Sequence, residues 1–251
     1  MKKTILSILF LLVVGLQTAW AQKVILKLAG SEPVKYDVSQ VEYIAFEEDE
    51  PVIDGHEWVD LGLPSGTLWA TCNVGASSPE EYGDFFAWGE TQPKDMYKWS
   101  TYKYCNGSDN TMTKYCNNSS FGYNGFTDTL TELLPEDDAA TANWGTGWQM
   151  PTIEQMKELY NNCSHQWTTQ NSVNGVLVTG PNGNTIFLPA AGNRFYDDHY
   201  SVGNDGGYWS RSLSPSGDYS AYLLHFSSRY WFLDSNYRYV GESVRPVRVQ
   251  N

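Results

Sequence analysis

Positive charge is scarce in this chain: 16 Lys and Arg stand against 29 Asp and Glu, a net charge of −13. Nucleic-acid binding rests on neutralising phosphates with Lys and Arg, so no nucleic-acid partner is expected. The same sign repels an anionic membrane surface. Long apolar runs are missing too. The longest, residues 5–16, is shorter than the roughly 20 residues that span a bilayer, so no transmembrane span is expected in the mature chain. With Lys2 and Lys3 ahead of that run and Ala19-Trp20-Ala21 after it, residues 1–21 read as a signal peptide. The product is then expected in the periplasm, at the cell surface or secreted.

Catalytic and metal-binding patterns are also absent. There is no Cys-x-x-Cys, no Gly-x-Ser-x-Gly elbow, and no Lys-Ser/Thr after the glycines at 122, 125, 145 and 147. His56, His165, His199 and His225 are scattered without ligand spacing. Acidic pairs such as Glu80-Glu81 and Asp137-Asp138 follow from the abundance of carboxylates and form no recognisable glycosidase pair. The chain is therefore read as non-catalytic and without a cofactor. Calcium is kept open, because Asp197, Asp198 and Asp205 offer hard oxygen ligands in a loop-rich region.

What the chain has in quantity is aromatic side chains, 15% of residues against 18% charged. That balance suits an exported domain with aromatic plugs in its core, and it also suits a sugar-binding surface. Four cysteines in an exported chain predict two disulfides. Three connectivities are possible. Lys103-Tyr104-Cys105-Asn106 is echoed by Lys114-Tyr115-Cys116-Asn117, which favours a Cys105–Cys116 clip and leaves Cys72 with Cys163.

Residues 22–50 read as a small β element and acidic linker: Val24, Leu26 and Leu28 alternate, Gly30-Ser31 offers a turn, and 41–46 is a second β-rich run. The acidic, proline-terminated stretch 47–51 marks the boundary of a main domain over 51–251. Its clearest helix starts after Pro151, with Thr152 and Gln155 in capping-box spacing and Ile153, Met156, Leu159, Tyr160 and Cys163 on one face. Turn signals at Asn174-Gly175 and at 181–184 enclose a strand, and further strands are expected near 185–188, 208–210, 221–226, 230–232 and 243–249. The fold class is α+β, mostly short antiparallel strands with at least one helix near 152–162.

Several ordered motifs carry a resemblance. Leu61-Gly62-Leu63-Pro64-Ser65-Gly66-Thr67-Leu68-Trp69, Trp88-Gly89-Glu90, Trp148-Gln149-Met150-Pro151-Thr152, Leu188-Pro189-Ala190-Ala191-Gly192, Tyr208-Trp209-Ser210 and Val244-Arg245-Pro246-Val247-Arg248 resemble the Fibrobacter succinogenes major paralogous domain family over about 55–250. Members abound among exported proteins of Bacteroidetes-type bacteria. The resemblance implies a C-type-lectin-like fold, in a branch shared with formylglycine-generating enzymes. The paired-cysteine copper site of those enzymes has no counterpart, since no Cys follows Cys163. The sugar-binding lectin motif is not matched either, because Gln92-Pro93 is followed by Lys94 and Trp-Asn-Asp is missing.

The resulting expectation is a binding or adhesion protein whose C-terminal loops hold a glycan or an extracellular protein. The candidate residues are Tyr196, Asp197, His199, Tyr200, Arg211, Tyr219, Arg229, Trp231 and Tyr237. An enzyme or accessory of extracellular polysaccharide degradation and a structural surface-assembly protein are the alternatives. Thr129, in Asp128-Thr129-Leu130, fits an O-glycan acceptor pattern.

Overall fold

The computed structural model describes residues 23–26, 34–37, 52–53 and 55–249, with side chains over 55–248. The expected signal peptide, the run 41–46 and the stretch 47–51 lie outside the described residues. The chain divides into two compact units, Met1–Asp49 and Glu50–Asn251. In the first, β1 (Lys23–Leu26) pairs antiparallel with β2 (Val34–Asp37).

The second unit is built mostly of short antiparallel strands with few helices. Its first and last described strands share one sheet: β5 (Thr67–Ala70) lies between β4 (His56–Asp60) and β14 (Val247–Val249), and β3 (Val52–Ile53) pairs outside β4. Two three-stranded meanders follow. They are β6 (Ser164–Gln170), β7 (Val173–Thr179) and β8 (Thr185–Pro189), then β11 (Asp205–Leu213), β12 (Ser220–Ser227) and β13 (Trp231–Tyr237). Between them lies a hairpin of β9 (Asn193–Phe195) and β10 (Asp198–Tyr200).

Helix α1 (Ala139–Trp144) is capped by Asp138, and α2 (Ile153–Asn162) has the expected capping box between Thr152 and Gln155. Met156 and Leu159 of α2 are buried, but Tyr160 is exposed, because it lies beyond the width of the stripe that packs on the sheet. The Asn174-Gly175 turn signal fails. The β6–β7 turn is made by Asn171 and Ser172, both at positive φ, and Gly175 sits inside β7. A Cβ on Gly175 would come within 2.4 Å of the Leu188 carbonyl oxygen and 2.5 Å of the Phe187 ring, so close strand approach requires this glycine.

Two apolar clusters form the core. One gathers Trp88, Trp148 and Trp209, and the other Trp69, Leu159, Tyr208 and Phe226. Trp88 and Trp209 stitch their segments reciprocally: Trp88 Nε1 donates to the Ser210 carbonyl and Trp209 Nε1 to the Phe86 carbonyl, each at 2.8 Å. Such partners let large rings be buried without stranding their N–H groups.

Two buried arginines work as backbone staples. Arg245 donates to Asn73 Oδ1 and to the carbonyls of Ala70, Thr71 and Phe187. Arg238 donates to Tyr102 Oη and to the carbonyls of Tyr115, Asp218 and Lys114, with its guanidinium 4.9 Å from the Trp88 ring centroid.

The Lys-Tyr-Cys-Asn echo proves to be an ion clasp. Lys103, Tyr104, Lys114 and Tyr115 all reach the buried carboxylate of Asp137, Tyr115 Oη at 2.6 Å. Burial would push Asp137 up, but the hydrogen bonds from Lys114, Tyr104 and Tyr115 hold it below the usual carboxylate range. The four cysteines are free thiols, so neither expected bridge is present. Cys116 Sγ donates to Asp218 and Cys105 Sγ to the Trp99 carbonyl, while Cys72 and Cys163 pack against different core clusters.

Glu242 is a buried carboxylate with one oxygen that no donor reaches. It is 1% exposed, Oε1 accepts from Asn236 Nδ2 at 2.8 Å, and Oε2 has no partner. Burial pushes its pKa up to about 8. An acid raised in the folded state binds a proton that the unfolded chain has released. Stability should therefore fall as pH rises from about 4.5 to about 8 and be flat beyond. Glu242→Gln is expected to remove most of this fall and to stabilise the domain at pH 8 by a few kcal/mol, on the order of the shift. Urea melts at pH 5 and 8.5 test this, and equal pH slopes in the two proteins would refute it.

Candidate functional site

The β9–β10 hairpin projects aromatic side chains from one edge of the domain. Its two-residue loop is Tyr196-Asp197, since Phe195 pairs with Asp198. Tyr196 has φ +57°, whereas Asp197 is not in the positive region. A two-residue hairpin loop with positive φ only at its first position favours Gly there. A tyrosine in that conformation costs roughly 1–2 kcal/mol. The surrounding backbone enforces it: Tyr196 and Tyr97 exchange N–H to carbonyl hydrogen bonds at 2.9 Å, and Tyr97 Oη anchors on the Phe85 carbonyl at 2.7 Å. Gly192, just before the hairpin, has φ +70°, and a Cβ there would meet the Tyr200 carbonyl oxygen at 2.0 Å.

From this loop a chain of ring contacts crosses the surface. Tyr196 packs on Phe195 with centroids 4.7 Å apart, Phe195 on Tyr239 at 5.8 Å, and Tyr239 on Trp99 at 4.7 Å. Tyr237 stacks on Tyr239 at 5.8 Å and 13°, and touches Tyr219 at 5.9 Å, which in turn meets Phe121 at 5.1 Å. Tyr196, Tyr200 and Tyr237 are each close to half exposed, at 47%, 46% and 47%. Tyr239 is buried beneath them, and burial pushes its hydroxyl up to about 12. The face thus has rigid rings at its base and solvent-facing tyrosines on top.

Of the residues singled out in the sequence, Tyr196, Asp197, His199, Tyr200, Tyr219 and Tyr237 belong to this face or its hairpin. His199 is a support: its Nε2 lies 2.7 Å from the Ala191 carbonyl oxygen and its ring meets Phe85 edge-on, with burial lowering its pKa. Asp197 is exposed, and Asp198 accepts from Tyr200 Oη at 3.0 Å. Trp99, Phe195 and Tyr239 were missed, and Trp99 lies far away in sequence.

The remaining candidates go elsewhere. Trp231 is buried, 9% exposed, and stacked on His165 at 4.8 Å and 10°, so it belongs to the core. Arg229 is exposed on a separate cleft of about 440 Å3 with Trp167, Asn174, Asp205 and Tyr230, where Tyr230 Oη donates to Asp205 at 3.1 Å. Arg211 is partly buried and bonds Gln149 Oε1 and the Leu133 carbonyl. Among the described residues, no three His, Cys, Asp or Glu side chains are grouped to hold a metal ion, so Asp197, Asp198 and Asp205 are not assembled as a calcium set. Thr129 is exposed beside Asp128, whose carboxylate holds the backbone N–H groups of Tyr115, Cys116 and Leu130.

The acidic pair at 137–138 is structural. Asp137 is the clasp described above, and Asp138 accepts from the N–H groups of Thr141 and Met150, with burial raising its pKa. No helix among the described residues is long and apolar enough to cross a membrane. Searches against family models, characterised proteins and solved structures return no match for this chain.

The two aromatic roles are separable by stability. Trp231→Ala is expected to cost about 3–5 kcal/mol, as for a buried ring, whereas Tyr237→Ala should cost about 1 kcal/mol or less as a surface change. Denaturant titration measures both, and a Trp231→Ala loss no larger than that of Tyr237→Ala would place Trp231 outside the core.

Proposed function

We propose that this chain is a non-catalytic, exported glycan-binding protein, with a C-type-lectin-like domain that presents the Tyr196–Tyr200–Tyr237 face to carbohydrate. The observation that carries this reading is the strained tyrosine at the tip of the β9–β10 loop. A residue that disfavours its own backbone conformation, and leaves its ring half in water, lowers stability for a packing gain limited to its edge contact with Phe195. Ligand contact is the gain that accounts for it. Aromatic faces bury the apolar C–H surface of sugars, while the phenolic hydroxyls on the rim hydrogen-bond sugar hydroxyls.

The motif resemblance to the Fibrobacter succinogenes major paralogous domain family supports the fold half of this reading. Consistent with a binding role, the ring ladder is braced from below by Trp99 and Tyr239, so little rotamer freedom is lost on contact. The roles found for Asp137 and Asp138 are structural, which favours binding over polysaccharide cleavage.

A glycan array probed with the full chain, followed by titration of the best hit, tests the proposal. Tyr237→Ala should weaken capture at least tenfold with the fold intact. Tyr196→Gly should weaken it similarly while raising stability by about 1 kcal/mol, because the turn strain is relieved. A folded sample that binds no glycan, or keeps full affinity in both variants, sinks the reading and turns attention to protein adhesion.

A further inference from the structure

A second site lies away from the tyrosine face, in a cleft of about 340 Å3 lined by Thr141, Thr146, Trp148, Gln149, Arg211 and Arg248. Three of these residues hold four buried N–H donors with no acceptor among the described residues: Trp148 Nε1, Arg211 Nε, and Nε and Nη1 of Arg248. Buried donors are normally paired, and each orphan carries a desolvation cost. A cluster of them at one cleft, in a chain of net charge −13, marks a place built for an acceptor.

The two guanidinium groups differ in what already holds them. Arg211 is fixed by Gln149 Oε1 at 2.6 Å and by the Leu133 carbonyl, and its Nε lies 3.5 Å from Glu132 Oε2, an ion pair beyond hydrogen-bond reach. Arg248 has no carboxylate or carbonyl partner among the described residues. It rests 5.9 Å from the Trp148 ring centroid and is carried on β14, whose neighbour Val247 is pinned to Gln149 by hydrogen bonds in both directions. Among the described residues, one of the two positive charges is therefore offset by Glu132 and one is not.

We infer that this cleft binds the carboxylate of a small hydroxylated acid, a uronic acid in chemical class, with Arg248 as the main anion contact. A single uncompensated charge matches a monoanion. A doubly charged phosphate would meet Glu132 and the acidic field of the whole chain. The guanidinium fork takes a carboxylate in a bidentate contact after a small pivot of the side chain. Thr146 and the Gln149 amide supply polar groups for sugar hydroxyls. The volume lies at the low end of small-molecule sites, roughly 300–1,000 Å3, which suits a monosaccharide rather than a long chain. This inference does not rest on the tyrosine face, which shares none of these residues.

The experiment is a calorimetric titration of the full chain with sodium galacturonate and with galactose at low salt, alongside acetate and phosphate. Galacturonate is expected to bind at least tenfold more tightly than galactose, and to weaken as salt rises. Arg248→Gln should lose at least tenfold, Arg248→Lys should lose less, and Tyr237→Ala should leave the affinity unchanged. Thr146→Glu adds a negative charge at the exposed rim, so it should also lose tenfold even if Arg248→Gln proves unfolded. Competition by acetate would assign the site to free carboxylates in general, and silence with acetate would assign it to the sugar-borne acid. Equal binding of galacturonate and galactose, tighter binding of phosphate, or unchanged affinity in a folded Arg248→Gln or in Thr146→Glu overturns the inference.

Discussion

Arg245 holds the fold at the point where its ends meet. Its guanidinium is 1% exposed and faces only neutral acceptors: the Asn73 side chain and the carbonyls of Ala70, Thr71 and Phe187. A buried cation without a carboxylate is tolerable only if its N–H groups are satisfied. Here the satisfaction comes from two separate stretches of chain: the end of β5 with the loop that follows it, and β8. If either moves, a charge is left unmet in the interior. The geometry of the guanidinium thereby becomes the geometry of the domain. A lysine, with a single ammonium in place of the planar fork, cannot span the same acceptors.

The segment from Arg238 to Val247 extends this logic along ten residues that form little regular strand. Its backbone exchanges hydrogen bonds with Phe86 and Arg194, donates to the Gly207 carbonyl, accepts from the N–H groups of Val74, Trp88 and Trp209, and ends by pairing with Gln149. Gly241 lies where a Cβ would meet the Tyr97 ring at 2.6 Å and Arg194 Cβ at 2.8 Å. Arg194 is in β9, so this contact connects the hub to the tyrosine hairpin. Tyr237 and Tyr239 flank Arg238, whose own side chain is locked among Trp88, Tyr102 and Tyr115. The surface rings are thus continuous with the most constrained part of the core. That continuity is why a strained turn can persist at the hairpin tip.

How much of this was legible depended on whether the signal was local. The capping box of α2 needs only four residues and was readable, as were strands β11 to β13, bounded by Gly, Ser and Asn. Burial along β13 was not. Trp231 and Tyr237 are six apart and share a face by period-2 counting, yet one is core and the other solvent-facing. The difference lies in what covers each end, His165 over Trp231 and open solvent over Tyr237. His165 is far from Trp231 in sequence. The Lys-Tyr-Cys-Asn echo was a real repeat read for the wrong atom. Its lysines and tyrosines converge on Asp137, and the cysteines between them are spaced by that convergence rather than by a bond. Six of the nine candidate binding residues fall on or beside the tyrosine face because chain order and space coincide across the hairpin. Trp99 arrives from another region, and no periodicity announces it.

Unsatisfied polar groups have different meanings at different depths. Glu242 Oε2 is sealed between Gly207 and the hub, with a Cβ on Gly207 excluded at 2.1 Å. No ligand can reach it, so the cost is absorbed by protonation, and the carboxyl stays neutral up to about pH 8. The orphan donors of Arg248 cannot follow that route, because a guanidinium does not release its proton in a protein. Its remaining ways to lower the cost are movement toward water or contact with an anion. A site on a cleft permits both, and a site in the core permits neither. The fold thus places its titratable orphan where only a proton can answer it, and its permanent charge where a ligand can.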